Sequence, residues 1–149
     1  MRYLDLLPHA PPMRLIEEVL EVAPGARVQG RRIAHADDWY FNGHFPGRPV
    51  VPAIVLVELV AQAGGLAVGT AAEDAPPAPR ALRVAGLGPF KFPAAAGPGS
   101  VLVVNARVVG RIGSLVKIEG DVHADGTLVA AGSVVLADVG TRRAGLRYD

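Results

Sequence analysis

Alternation between apolar and polar positions is cleanest in the second half of the chain. From Val101 to Val109 the even positions Leu102, Val104, Ala106 and Val108 are apolar while Asn105 and Arg107 take the other parity, as in a strand with one buried face. From Leu115 to His123, Val116, Ile118 and Val122 alternate with Lys117, Glu119, Asp121 and His123. Gly113-Ser114 and Asp125-Gly126 fall between these runs at hairpin positions, so Val101 to Ala137 is predicted to form a three-strand antiparallel meander. Upstream, Leu82, Val84, Phe90 and Phe92 share a parity with Gly86 and Gly88 between them, which predicts a further, kinked strand.

The stretch Ala53 to Gly69, AIVLVELVAQAGGLAVG, does not alternate, contains no proline and is apolar on nearly every side, which predicts a buried helix. A membrane span is the competing reading. The run is short of the roughly 20 residues a span needs and carries Glu58, Gln62 and the Gly64-Gly65 pair, so the helix is read as internal. Glu58 and Gln62 are four apart and share a face, with Gly65 on the same stripe. One apolar helix and five or six antiparallel strands are buried most simply if the sheet curls around the helix, an α+β arrangement in one domain spanning 1–149. The segment EDAPPAPR, Glu73 to Arg80, reads as a proline-rich exposed connection.

Composition narrows the function classes. Half of the 149 residues are hydrophobic and 19% are charged, enough for a compact core. Fifteen basic against fourteen acidic residues give a net charge of +1 with no run of like charge, which argues against a nucleic-acid groove. The absence of cysteine removes disulfides, thiolate metal sites and cysteine nucleophiles. The four histidines, His9, His35, His44 and His123, lack the close spacing of a zinc-binding helix, so no metal is expected. The Met1-Arg2 start carries no apolar run of a secretory signal, which makes the cytoplasm the expected compartment.

The candidate chemistry lies in Asn42 to Gln62, NGHFPGRPVVPAIVLVELVAQ, where a loop runs into the apolar helix. Pro46, Pro49 and Pro52 each fix a backbone φ, so the loop is suited to hold the His44 imidazole in one place as a base; the alternative is a histidine bonded to a backbone carbonyl under the loop. Pro52 matches the first helical position, and Val50 and Val51 before it offer no side-chain oxygen to cap the amides of Ala53, Ile54 and Val55. A substrate carbonyl is one suitable acceptor there, favoured by the helix dipole; water or a loop carbonyl is the other. Glu58, in the second turn of an otherwise apolar helix, is expected to have a raised pKa and to serve as a proton donor, or else to be a structural carboxyl bonded to Gln62 or a strand residue. Together His44, the Ala53 amide and Glu58 match the needs of removing water from a 3-hydroxyacyl thioester: a base for the C2 proton, a site for the enolate-like oxygen and an acid for the departing hydroxyl.

The residues GHFPGRPVVPAIVLVELVAQAGG, Gly43 to Gly65, preceded by LLPHAPPMRLIEEVLEVAPG, Leu6 to Gly25, resemble the 3-hydroxyacyl-[acyl carrier protein] dehydratases of the FabZ and FabA type. Weaker resemblance continues through FKFP at Phe90 to Pro93 and PGS at Pro98 to Ser100, covering nearly the whole chain. The resemblance implies a hot-dog fold, a long helix wrapped by a curved antiparallel sheet, paired into a homodimer with a continuous sheet or into a trimer of such dimers. It implies that His44 of one subunit works with Glu58 of the other, that the Val50 carbonyl orients the His44 ring, and that the Ala53 amide binds the thioester oxygen. Phe45, Gly47, Pro52, Ile54 and Gln62 are the expected lining residues, and no cofactor is implied. The family also requires a strand over residues 13–22, although Leu15, Ile16, Val19 and Leu20 recur at helical spacing, and the pattern alone leaves this open.

Three departures stand out. Ala53 replaces the family's usual glycine, His9-Ala10 replaces a histidine-arginine pair, and Pro93-Ala94-Ala95-Ala96 replaces basic residues, which weakens the case for docking an acidic carrier protein. Arg31, Arg32, Arg80 and Arg83 are the candidate substitutes. The competing functions are an acyl thioesterase on the same fold, which has no need of a histidine in a rigid loop, and a non-catalytic acyl-binding or scaffold subunit, which has no need of both His44 and Glu58.

Overall fold

The structure is a computed structural model in which residues 3–43, 47–70 and 80–141 are described. Among these residues six strands and one helix follow in the order β1 (Glu18–Ala23), β2 (Arg27–Ile33), α1 (Ala53–Gly69), β3 (Arg80–Lys91), β4 (Val101–Ile112), β5 (Leu115–Ala124) and β6 (Thr127–Thr141), with short 3-10 turns at Tyr3–Leu6 and Trp39–Phe41. All strands belong to one sheet of order β1-β2-β4-β5-β6-β3, every neighbouring pair antiparallel, and α1 packs against it. This is the hot-dog arrangement expected from the sequence.

The meander forms where the alternation placed it. Leu102, Val104, Ala106, Val116, Ile118, Val122, Val129 and Val134 face α1 and are buried. The β5–β6 hairpin closes on Asp125 at φ 49 and Gly126 at φ 86, the paired left-handed residues of a two-residue turn whose twist suits antiparallel strands. β3 bonds only to β6 and is offset at three points, between Arg80 and Leu82, Val84 and Gly86, and Leu87 and Phe90, so the expected kinks are real. Two sequence expectations need adjusting here: Phe92 lies just beyond β3, and Arg80 opens that strand instead of closing the proline-rich connection, the rest of which lies outside the described residues.

α1 lies flush on the sheet because two glycines leave room for it. A Cβ on Gly64 would stand 2.8 Å from Ile118, and one on Gly120 would stand 2.7 Å from both Val60 and the Asn105 carbonyl. Leu59 and Leu66 are fully buried, each stabilising the fold by roughly 1.5–3 kcal/mol. The neighbouring Gly65 faces the other way, with room for a methyl 3.6 Å from Leu82 and 3.9 Å from Leu7.

The N-terminal conflict resolves into neither a helix nor a full strand. Residues 14–17 have no regular structure, and β1 begins at Glu18. Leu15 and Ile16 are buried because side chains hold their backbone: Gln62 accepts the Leu15 amide at 2.9 Å, and Arg32 donates to the Leu15 carbonyl at 3.0 Å.

Candidate functional site

The start of α1 is open. The helix runs over Ala53–Gly69 as its apolar stretch predicts, and Pro52 is the N-cap instead of the first helical residue, because its extended ψ of 144° cannot continue a helix. Among the described residues no side chain caps this end. The Pro52 carbonyl accepts the Val55 amide at 3.0 Å and the Leu56 amide at 3.4 Å, so Val55 is satisfied. Among the described residues nothing accepts the Ala53 or Ile54 amide, and both residues are exposed, Ile54 to 73%. Trp39, Tyr40, Asn42, Gly43, Pro52, Ala53 and Ile54 line an open cavity of about 470 Å³ at this point.

The loop that enters the helix is shaped from both sides. Gly43 at φ 76 and Gly47 at φ 81 stand in the left-handed region on either side of His44, Phe45 and Pro46, which themselves lie outside the described residues. The Val51 amide donates to the Ala96 carbonyl at 2.8 Å and ties the loop to the segment before β4. Val50 is partly buried.

A buried ionic network supports the far side of the cavity. Arg32 shares the inward parity of β2 with Val28 and Gly30 and is 8% exposed. It bonds Asp38 at 2.7 Å, and Asp38 also accepts the Tyr40 hydroxyl at 2.6 Å and the His35 amide at 3.1 Å. Burial pushes Asp38 toward the neutral form, but the bonds from Tyr40 and Arg32 outweigh it and hold the carboxyl below its usual range. Burial, and then donation to Asp38, push the Tyr40 phenol up to about 12. The network fixes the Trp39–Phe41 turn beside the helix start. Arg32 is therefore not available as a docking charge, and Arg31 is paired with Glu18; Arg83 is exposed.

Glu58 opens on a different space. From position 53 to position 58 the helix advances about 7.5 Å and turns about 140° beyond one full turn. Glu58 consequently faces a pocket of about 60 Å³ lined chiefly by Leu6, Leu7, Ala61, Leu82 and Leu136, with His9 and Gln62 as polar neighbours. The carboxyl is neither alone nor enclosed in the single chain. Its Oε1 accepts from Gln62 Nε2 at 3.2 Å and lies 3.4 Å from His9 Nε2, and its side chain is 29% exposed. Gln62 lines this pocket, but its amide is already bonded to the backbone at Met13 and Leu15. Sequence reasoning brought in neither His9 nor Tyr40 as site residues. His9 carried one usable signal: it follows the apolar Leu6-Leu7 pair and Pro8 and so is carried on a buried anchor.

The chain matches the FabA-like domain model over residues 7–133. It is 35% identical, over 93% of its length and 89% of the relative's, to the 3-hydroxyacyl-[acyl-carrier-protein] dehydratase FabZ of Nitratidesulfovibrio vulgaris, and 32% identical to the FabZ of Herpetosiphon aurantiacus over 91% of its length and 94% of the relative's. Among solved structures it resembles the dehydratase heterocomplex ApeI:P from Xenorhabdus doucetiae, with a TM-score of 0.78 at 22% identity over 93% of this chain and 91% of that one. A hypothetical thioesterase from Streptococcus pneumoniae with coenzyme A shares the fold at a TM-score of 0.61 and 15% identity, over 85% of this chain and 88% of that one. The chain belongs to the FabA-like family of 3-hydroxyacyl-[acyl-carrier-protein] dehydratases.

Proposed function

We propose that the protein removes water from a (3R)-hydroxyacyl thioester, linked to an acyl carrier protein or to coenzyme A, to give the trans-2-enoyl thioester in fatty acid or related polyketide and polyene synthesis in the cytoplasm. The thioester oxygen is received by the Ala53 amide, where the positive end of the helix dipole favours the charge that develops on it. His44, oriented by the Val50 carbonyl, takes the C2 proton, Glu58 gives a proton to the C3 hydroxyl, and the C3–O bond breaks to release water. Phe45, Gly47, Pro52 and Ile54 flank the entering substrate, and the acyl chain runs on toward Gln62.

The observation that carries this reading is the uncapped helix start, with exposed Ala53 and Ile54 amides beside an open cavity. Among the described residues the helix start and the Glu58 pocket share no lining residue, so the reading takes two chains, with the His44 loop of one facing Glu58 of the other. β3 supports such a pairing. It ends the sheet with exposed Val84 and Leu87, and a second β3 added there would continue the ladder. Leu82, Arg83 and Val84 of that edge also line the Glu58 pocket, so the seam and the carboxyl are adjacent. The test follows the ultraviolet absorbance of the enoyl thioester in wild type, His44→Ala and Glu58→Gln. Losses of about 10²–10⁴-fold are expected in each variant, and wild-type turnover in either removes that residue's role. Release of free thiol by the wild type in place of the enoyl product would point to a thioesterase.

A further inference from the structure

The two oxygens of Glu58 have different surroundings. Gln62 Nε2 and His9 Nε2 both approach Oε1, at 3.2 and 3.4 Å, and among the described residues Oε2 has no hydrogen bond or ion pair. Gln62 cannot turn away, because it is 1% exposed, accepts the Leu15 amide at 2.9 Å and donates to the Met13 carbonyl at 2.7 Å. His9 reaches the carboxyl from outside the helix, on a segment anchored by buried Leu6 and Leu7. Its other ring nitrogen, Nδ1, is buried and has no hydrogen-bond partner among the described residues. A hydrogen on Nδ1 would be a buried donor without an acceptor, whereas Nε2 lies 3.4 Å from a carboxyl oxygen, within ion-pair reach. The surroundings therefore select the Nε2–H tautomer.

We propose that His9 is a positioning residue for the reaction: with Gln62 it keeps Glu58 Oε1 as an acceptor, so that the transferable proton is carried on Oε2. This rests on the reading of Glu58 as the acid. During dehydration the Oε2–H bond breaks, the proton passes to the C3 hydroxyl oxygen, and the C3–O bond breaks as water leaves. The C2 proton has gone to His44, and its electron pair becomes the new double bond. The remaining carboxylate keeps both donors on Oε1, and hydrogen bonds to a charged group are stronger than those to the neutral acid. The gain is therefore made as the proton leaves, which is why it falls on kcat and not on KM.

The test uses the full chain with (3R)-hydroxybutyryl-CoA and the same acyl group on holo-acyl carrier protein. His9→Leu is expected to lower kcat roughly 10- to 100-fold with KM little changed, and His9→Gln, whose amide can donate to the same oxygen, to regain most of the loss. Wild-type kcat in His9→Leu overturns the proposal, as does an equal loss in His9→Gln. Nitrogen-15 shifts of the His9 ring in the wild type give a reading that needs no variant: the Nε2–H tautomer is expected, and the Nδ1–H tautomer overturns the proposal. Full turnover in Glu58→Gln would remove the acid and this inference together, whereas an inactive Glu58→Gln beside a fully active His9→Leu would remove only the role of His9.

Discussion

α1 meets open space at two places of opposite character. At its start the backbone is bare: two exposed amides, no capping side chain, and a wide cavity walled by Trp39, Tyr40 and Asn42. At Glu58 the wall is apolar and narrow, and one carboxyl oxygen is already engaged by two side chains. The first place suits an oxygen that gains charge, the second a hydroxyl that needs a proton. Because they open on separate sides of the helix, the proposed reaction needs the two places to come from different chains.

The largest effect expected from this contrast is in a mixing experiment. His44→Ala and Glu58→Gln, each inactive alone, should regain about a quarter of wild-type turnover when unfolded and refolded together, because half of randomly paired dimers then hold one intact site. If both groups act within one subunit, no pairing restores an intact site and turnover stays at the level of the separate variants.

The next effect concerns the wall of the open cavity. Asp38→Ala leaves Arg32 buried without its carboxylate, and the loss of such a pair costs about 3–5 kcal/mol. For a chain of this length a drop in Tm on the order of 10 °C follows, measured by circular dichroism. The pH dependence has a definite sign. Because the folded Asp38 titrates below its ordinary value of 3.8, its contribution is full above that value and is lost as pH falls through the lower folded value. The variant's melting temperature should therefore fall less steeply than the wild type's in that acid window, and parallel curves would show that the network does not stabilise the fold through Asp38.

The smallest effect is at the helix start itself. Ala53→Gly restores the family's usual residue at an exposed position and should change kcat/KM by no more than a few-fold. A gain above tenfold would mean that the methyl obstructs the thioester.

The meander was legible because each strand from β4 to β6 has one face on α1, which writes period two into the sequence. β1 was not. It pairs only with β2, its burial alternates poorly, and a bulge between Val19 and Glu21 resets its parity. The buried Leu15 and Ile16 ahead of it are held by Gln62 and Arg32, which no local pattern can report. Arg32 could have been read as inward from its parity with Val28, but the preceding Arg31 made the pair look like surface charge. The helix and the described parts of the loop ahead of it were legible because proline and glycine mark the loop and the helix is an unbroken apolar run. His9 was not, since only the folded chain brings residues so distant in sequence to one carboxyl oxygen.

The adjacent glycines in α1 bear on how substrate range can drift in this lineage. At Gly64 a Cβ would stand 2.8 Å from Ile118, so a side chain there requires Ile118 or the helix to shift. At Gly65 a methyl finds ordinary contacts with Leu82 and Leu7 on the wall of the Glu58 pocket. A single base change in the Gly64 codon would force the helix and Ile118 apart, while the same change in the Gly65 codon would only narrow the Glu58 pocket, so the shape of that pocket can vary one residue away from a position held by packing.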